Sequence, residues 1–256
     1  MGKVSVIITS INQAKKIKDK VDAYLMPIEG LSINYQKTFT IEDIKKVKKN
    51  NKEIFVFINK NIENNELEKL ETILKEIDKL DINGIIFYDI ALIKLKKKLN
   101  LKTDLVWHQE HMTNNYGTVN YWYKKGIKYT YLSSEITKRE IDEIKTDTKA
   151  KLFVNIFGYV PMFTSKRHLL KNYQDTFYIK EKGNIIYKEG KKYHIEESEN
   201  GTTVYSNYIL NIKSQINVDY LVYNANLIPN FEDILNNNNL KEENGFLYQE
   251  TIYKVK

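Results

Sequence analysis

The sequence predicts an α/β fold, a TIM-like (β/α)8 barrel with an antiparallel β-hairpin insertion between strands seven and eight. Two observations predict the barrel: short apolar, β-rich runs recur along the 256 residues, and amphipathic helical patterns lie between most of them. A third predicts the insertion, because between residues 174 and 216 short alternating segments replace this pattern. We therefore expect one barrel domain over 1–256, with 174–216 as a β-rich insertion within it.

The predicted strands are rich in Val, Ile, Leu and aromatic residues. They are Val4–Ile8, Ala23–Ile28, Ile54–Ile58, Ile85–Tyr88, Asp104–Trp107, Lys128–Leu132, Leu152–Phe157 and Val218–Tyr223. Eight such strands in about 250 residues fit a closed barrel. An open doubly wound sheet is the alternative, but no Gly-rich phosphate-binding fingerprint follows the first strand.

Apolar periodicity and capping residues predict three of the helices. Leucines and Ile77 form one apolar stripe at helical spacing over Asn65–Leu80. Thr137 with Glu140 is a capping box that opens the helix Lys138–Lys145. The pattern Asn114–Lys124 fits a helix closed by Gly126.

The insertion is expected to be antiparallel. Its predicted strands are Phe177–Lys180, Ile185–Tyr187, Tyr193–Glu196 and Thr203–Ser206. Turn residues separate them at Glu189-Gly190 and Asn200-Gly201, and an Asn-Gly pair favours a type I′ turn.

Composition excludes several classes of function. The chain has no cysteine, so disulfides, thiol nucleophiles and a cofactor or iron–sulfur cluster held by its own thiolates are excluded. Neither a secretory signal nor a run of membrane-span length is visible, so we expect a cytoplasmic protein without a membrane partner. The net charge of +7 suits a polyanion such as RNA, although lysines on amphipathic helices more often form a solvated face.

In a barrel, the residues after each strand form the functional face. Here those residues are polar and mixed in charge, which suits an anionic ligand that forms hydrogen bonds. They are Glu29, Asn59, Asp89, His108, Gln109, Glu110, His111, Glu135, Tyr159, Ser165, Arg167, His168, Asn224 and Asn226.

The residue types at and near these positions bear on three chemistries. His108, Glu110 and His111 lack the spacing of a known zinc motif, so we predict hydrogen-bonding roles and no metal. The serines there have no nucleophile elbow around them. Tyr116, Tyr121, Trp122 and Tyr123 are more typical of helix packing than of base stacking.

Arginine usage singles out one residue. Only Arg139 and Arg167 occur among 40 Lys and Arg residues, as if Lys replaces Arg wherever a point charge suffices. A retained Arg suggests a planar fork that binds a carboxylate or phosphate through two hydrogen bonds. The alternative is a structural Arg167 that ties a loop to backbone carbonyls.

Several segments in order resemble the collagenase-like peptidase family U32. They are Gly84–Asp89, Thr113-Asn114 with Asn120–Gly126, Leu132–Glu135, Phe157-Gly158, Ser165–Tyr173, and Tyr193-His-Ile-Glu-Glu197 with Asn200-Gly-Thr202. The resemblance extends over most of the chain. It is greatest to short, cysteine-poor members, which are often encoded as a short and a longer protein.

That resemblance implies prephenate-dependent 5-hydroxylation of the wobble uridine in tRNA, with tRNA and a longer paralogue as partners. Asn114, Glu135, Arg167 and Glu196 fall in the family's core motifs, and with His108 and Glu110 they form the expected substrate-binding set. No catalytic residue is assigned. Phe157-Gly158 replaces the family's usual His-Gly, and the signature cysteines are absent. A part in an RNA-hydroxylating enzyme is favoured; a non-catalytic scaffold subunit or a peptidase is the alternative.

Overall fold

The computed structural model describes residues 2–178, 184–213, 215–236 and 241–249. Its strands are β1 Lys3–Ile7, β2 Ala23–Pro27, β3 Glu53–Ile58, β4 Gly84–Phe87, β5 Asp104–His108, β6 Tyr129–Tyr131, β7 Lys151–Ser165, β8 Ile185–Lys188, β9 Lys191–Ser198, β10 Gly201–Asn211 and β11 Tyr220–Asn224. Strands β1 to β7 pair in parallel, and β11 pairs in parallel with both β7 and β1. The predicted eight-stranded barrel is confirmed.

Helices cover the outside of the barrel. They are α1 Ile11–Ile17, α2 Ile41–Lys48, α3 Leu67–Lys79, α4 Ala91–Leu99, α5 Tyr116–Lys124, α6 Lys138–Asp147, α7 Leu169–Thr176 and α8 Phe231–Asn236. The predicted capping box opens α6: Thr137 accepts from the Glu140 amide, and the Glu140 carboxylate accepts from the Thr137 amide. The stripe on α3 buries Leu70, Leu74 and Ile77 against the barrel. No helix in the described residues has both the length and the apolar character needed to cross a membrane.

Aromatic rings fill the inside of the barrel. Phe153 and Tyr220 stack with their centroids 4.0 Å apart, and the edge of Phe55 meets both rings. Nearer the mouth, Phe57 and Tyr131 continue this packing at 6.3 Å. A packed interior leaves the residues beyond the strand ends as the place for a site.

The insertion is built on the outer half of β7. Gly158 has a φ of 118°, and a side chain there would overlap the Asn224 carbonyl, so only glycine lets β7 continue past β11. Beyond it, β10 pairs antiparallel with β7, β9 with β10, and β8 with β9. The β-rich part therefore begins earlier than the predicted 174–216; the single-domain extent of 1–256 stays a prediction.

Two details of the predicted insertion were wrong. Phe177 and Tyr178 form a turn after α7 rather than a strand, and residues 179–183 lie outside the described part of the chain. The type I′ geometry, with two positive φ angles, occurs at Glu189-Gly190 and not at Asn200-Gly201. Gly201 instead lies so close to the Ser165 carbonyl that a Cβ would not fit.

Candidate functional site at the barrel mouth

A loop between β2 and α2, residues 28–40 (the mouth loop), covers the carboxyl ends of the barrel strands. Asn34 lies at its centre, buried, with a φ of 73°. Its Nδ2 donates to Glu110 Oε1 at 2.6 Å, and its Oδ1 accepts from Thr203 Oγ1 at 2.6 Å and Thr164 Oγ1 at 3.0 Å. Its carbonyl accepts from Tyr205 Oη at 2.7 Å. One asparagine thus joins the mouth loop to β7, β10 and the segment after β5.

Other asparagines hold the loop from both sides. The Asn59 side chain donates to the Ile33 carbonyl and accepts from the Ile33 amide, both at 3.1 Å. Asn226 Oδ1 accepts from the Gln36 amide at 3.0 Å. Asn59 and Asn226, both predicted as site residues, therefore have a positioning role.

Tyr35 of the mouth loop lies over the barrel core. Its ring centroid is 5.0 Å from that of Phe57, and its side chain lines the mouth cavity. Burial, together with the neighbouring Tyr131, Glu110 and Tyr205, raises the Tyr35 pKa well above its ordinary value. Tyr35 is therefore a neutral phenol at physiological pH, able to donate a hydrogen bond into the cavity.

A chain of hydrogen bonds forms the opposite wall. Tyr131 Oη donates to Asn155 Oδ1 at 2.5 Å, and Asn155 Nδ2 donates to Ser134 Oγ at 2.9 Å. The His108 ring lies 4.6 Å from the Tyr131 ring. Burial raises the pKa of Tyr131, so it stays a donor and fixes the orientation of the Asn155 amide.

Two cavities meet at Glu110. The mouth cavity proper is only about 40 Å³ and is lined by Tyr35, His108, Glu135 and Asn155, among others. Beside it a larger cavity of about 520 Å³ lies between the ends of β3 and β7. Glu110 borders both, so a group bound in the larger cavity can contact the mouth.

The larger cavity contains both signs of charge. Lys60 Nζ pairs with Glu66 Oε1 at 2.6 Å, and Lys166 Nζ lies 3.7 Å from Glu63 Oε1. The hydrogen bond from Lys60 is the main reason why the Glu66 pKa is lowered. Glu110 and Glu199 add two further carboxylates to the lining.

The predicted substrate-binding residues divide into two groups. His108, Glu110 and Glu135 line the mouth cavity together. Asn114 is exposed before α5, where its Oδ1 accepts from Asn115. Arg167 is exposed beyond the end of β7, next to Lys166, which lines the larger cavity.

Glu196 lies on β9 and touches the mouth loop through Gln36, whose Nε2 donates to Glu196 Oε1 at 2.7 Å. Asp89 is a local anchor, since its carboxylate accepts from the Ala91 and Ile62 amides at 2.9 Å each. The side chain of His111 lies outside what the structure describes. In the described residues no three His, Asp or Glu side chains form a group that could hold a metal ion.

Sequence reasoning missed Asn34, Tyr35, Asn155 and Lys60. Asn155 points into the mouth from within β7, and Lys60 follows Asn59 directly. The same rule of strand ends could have identified Lys60. Nothing in the local sequence marks Asn34 and Tyr35, because long-range contacts place them.

Comparison with known proteins places this barrel in a family. A model described as Peptidase family U32 matches residues 12–235. The chain belongs to peptidase family U32. The solved structure of the U32 peptidase Mk0906 superimposes with a TM-score of 0.58 at 10% identity, covering 88% of this chain and 93% of that one. At that identity the likeness concerns the U32 fold.

Two relatives from Bacillus subtilis (strain 168) carry names that concern RNA. The chain is 27% identical to tRNA hydroxylation protein P2 over 198 residues, 72% of this chain and 64% of the relative. It is 26% identical to tRNA hydroxylation protein P1 over 139 residues, 53% of this chain and 33% of that relative. The chain therefore spans less than two thirds of the length of either relative.

Proposed function

We propose that this chain takes part in tRNA hydroxylation, as a subunit that works with a longer U32 relative in the cytoplasm. The reaction proposed is 5-hydroxylation of the wobble uridine with prephenate as co-substrate. The observation that carries the proposal is the 198-residue match to tRNA hydroxylation protein P2. The family likeness extends to the strands whose ends form the mouth, since the family model spans residues 12–235.

The chemistry of the mouth supports a nucleobase substrate. Uracil presents two carbonyl acceptors and one N–H donor. The Tyr35 phenol can donate to a carbonyl, and the carboxylates of Glu110 and Glu135 can accept from N–H. The absence of cysteine excludes a thiolate nucleophile from this chain, which weakens the peptidase alternative.

Prephenate carries two carboxylates and needs cationic partners. Lys60 and Lys166 line the larger cavity, and Arg167 follows Lys166 in the chain. The Lys166 and Glu63 side chains are 54% and 63% exposed, and ion pairs between such exposed groups contribute little, about 0–1 kcal/mol. A carboxylate ligand can therefore replace Glu63 beside Lys166 with little loss from that ion pair, and it must also overcome repulsion from Glu110 and Glu199 of the same lining.

One observation favours the scaffold alternative. Tyr35 and the mouth loop leave only about 40 Å³ in the mouth itself, which is room for about one water molecule. A nucleobase would enter only after the loop moves. In the scaffold alternative the loop stays closed, and the longer relative performs the reaction.

Mass spectrometry of tRNA nucleosides tests the proposal. We expect that cells lacking this protein lose 5-hydroxyuridine-type wobble modifications, while bulk proteolysis is unchanged. An unaltered nucleoside profile, in a strain that keeps the longer relative and has no other paralogue able to replace this protein, would contradict the proposal.

Complementation with Tyr35→Phe and Glu110→Gln distinguishes an active site at the barrel mouth from a non-catalytic scaffold subunit. Both substitutions keep the size of the side chain but remove a phenol donor or a negative charge at the mouth. An active site requires a fall in modification with either variant, whereas a scaffold predicts full complementation. The amount of folded protein, measured in the same cells, is the control.

A further inference from the structure

The positive charge of this chain is concentrated in one short stretch. Residues 166–192 contain eight Lys and Arg against three Asp and Glu, so they carry +5 of the net charge of +7. This stretch covers α7, β8 and the start of β9. The rest of the chain therefore carries lysines and acids in near balance, and the charge bias belongs to residues 166–192, directly before Glu196, Glu197 and Glu199.

Exposed aromatic rings occupy the same stretch. Tyr178 is 90% exposed, Tyr187 72%, Phe177 62% and Tyr173 55%. Tyr173 and Phe177 are already paired, with centroids 4.8 Å apart. Exposed flat rings among cations form the pattern that binds single-stranded nucleic acid, because bases stack on the rings and phosphates bind the cations.

The β8–β9 hairpin keeps a charge arrangement that opposes its own stability. Lys188 lies directly opposite Lys191, and Tyr187 lies opposite Lys192. Like charges directly opposite each other destabilise a strand pair. An anion bound between the Lys188 and Lys191 ammonium groups would remove this repulsion, so the pair is suited to binding a phosphate.

An apolar cleft lies between α7 and this hairpin. It measures about 630 Å³ and is lined by Leu169, Leu170, Tyr173, Ile185 and Tyr187, among others. Its walls are mostly apolar and include two tyrosines, so an unstacked base fits the cleft chemically. At the other end of the stretch, Lys166 also lines the 520 Å³ cavity beside the mouth.

We propose that the outer face of the insertion (α7 and the β8–β9 hairpin; the insertion face) binds a single-stranded segment of RNA. Tyr187 stacks on a base at the entrance of the cleft, and Lys192, its cross-strand partner on the same side of the hairpin, binds the adjoining phosphate. Lys188 and Lys191 project from the other side at the hairpin tip and bind a phosphate there. This deepens the proposed function, on which it rests for the identity of the RNA: the single-stranded loop of a tRNA that bears the wobble uridine. The face then delivers the loop toward the larger cavity through Lys166.

Fluorescence anisotropy with a labelled anticodon stem-loop RNA tests the cations. The triple variant Lys188→Ala/Lys191→Ala/Lys192→Ala should bind at least ten-fold more weakly at low salt. The slope of log affinity against log salt should fall by about 2, since each lost phosphate contact on a single strand contributes about 0.7. The matched control Lys15→Ala/Lys16→Ala/Lys18→Ala removes the same charge from the exposed surface at α1 and should leave both quantities unchanged.

Two substitutions of Tyr187 test the contribution of base stacking to RNA binding without changing the charge of the protein. Tyr187→Ser should weaken RNA binding roughly ten-fold, whereas Tyr187→Phe, which keeps the ring, should bind normally. With 2-aminopurine in the loop, the stacking-dependent quenching should disappear in Tyr187→Ser only. Equal binding by the native protein and both variants would overturn the role of the ring.

The Lys188–Lys191 pair gives a test in which stability and binding change in opposite directions. Lys191→Glu places opposite charges across the hairpin, so the hairpin should be equally or more stable while RNA affinity falls. Hairpin amide exchange and anisotropy measure the two effects. A fall in stability with unchanged RNA affinity would contradict the proposal.

Failure of this inference differs from failure of the proposed function. If nucleosides are depleted in cells lacking the protein but the triple variant binds RNA and complements fully, the insertion face is not the RNA site. If the triple variant instead loses a protein partner while RNA affinity is intact, the face is a protein interface and the RNA inference is overturned. If the nucleosides never change but the face still binds RNA, only the proposed function fails.

Discussion

At the scale of single residues, the site depends on Asn34. Left-handed φ angles are costly for most residues, but Asn tolerates them and can form hydrogen bonds there. At φ 73°, the Asn34 amide reaches Glu110 on one side and Thr164 and Thr203 on the other. Backbone conformation and hydrogen bonding thus require the same residue type.

Two substitutions of Asn34 separate these contributions. Asn34→Gly keeps the φ angle and removes three side-chain hydrogen bonds, so it should lower the free energy of unfolding by about 2–3 kcal/mol. Asn34→Ala should lower it by roughly 1 kcal/mol more, because the left-handed conformation is strained with a Cβ. Chemical denaturation of both variants measures the difference. Equal stability of the Asn34→Ala and Asn34→Gly variants would show that the loop can change its conformation.

Arg167 provides the second test at this scale. Its side chain is exposed, while its backbone is held: its amide donates to Ser165 Oγ at 3.1 Å, and its carbonyl oxygen lies 2.7 Å from Thr202 Oγ1. Arg167→Lys should therefore change stability by less than about 0.5 kcal/mol. If the fork binds a carboxylate or phosphate, affinity should fall roughly ten-fold, since such a contact contributes about 1.5–3 kcal/mol.

Thermal unfolding and tRNA modification are measured on the same Arg167→Lys variant. Early melting with full modification in the cold would mean that Arg167 is structural. Arg139→Lys is the control, because Arg139 is exposed on α6 and lies 3.7 Å from Glu143.

At the scale of elements, α7 depends on one largely buried carboxylate. Glu197 accepts from the Leu170 amide at 2.8 Å, the Lys171 amide at 3.2 Å and Thr202 Oγ1 at 2.6 Å. Partial burial opposes ionisation, but these hydrogen bonds outweigh it and lower the Glu197 pKa. The start of α7 is thus held to β9 by a charged group.

This gives α7 a pH dependence of known sign. The pKa of Glu197 is lower in the folded protein than in the unfolded chain. The carboxylate therefore stabilises α7 fully at any pH above the ordinary Glu pKa, and this stabilisation is lost as the pH falls through the lowered pKa of the folded protein. We expect the protection factors of the amides at the start of α7, taken relative to the intrinsic exchange rate at each pH, to fall below about pH 4, before the barrel unfolds. Hydrogen exchange measures this, with Glu197→Gln as control: its α7 should show low protection at every pH. Protection of α7 that is independent of pH in the native protein would contradict the role of Glu197.

The elements show what the sequence could predict. The eight barrel strands were found because each buries an apolar run, and α6 because its capping box is local. The outer half of β7 was missed, since Gly158 and Pro161 usually end a strand. The helix α7 was missed as well, because its first turn is capped by residues of β9 and β10 about 30 positions away.

The candidate site was likewise predicted only in part from the sequence. The rule that strand ends carry the site found His108, Glu110 and Glu135 together. It also found Asn59 and Asn226, but it did not show that their amide groups hold the mouth loop. Tyr35 was not predictable, because its place over Phe57 follows from the whole set of contacts around that loop.

At the scale of the whole molecule, two of the surfaces that carry exposed apolar side chains bear on binding. One is the insertion face. The other, on the mouth side of the barrel, includes Ile90 after β4, Met112 after β5 and Tyr116 at the start of α5, which are 57%, 68% and 50% exposed. Two separate faces allow RNA and a protein partner to bind at the same time.

We therefore expect the second face to bind the longer U32 relative, through an interface of about 1,200–2,000 Å². Met112→Lys/Tyr116→Lys places two charges in that interface, and burying unpaired charges is costly, so the complex should be lost. Both side chains are exposed, so the barrel should keep its melting temperature. Co-purification from native extract and native mass spectrometry measure the complex, with Tyr187→Ser as the variant that should keep it. A monodisperse monomer that supports full tRNA modification without the longer relative would show that this chain needs no partner.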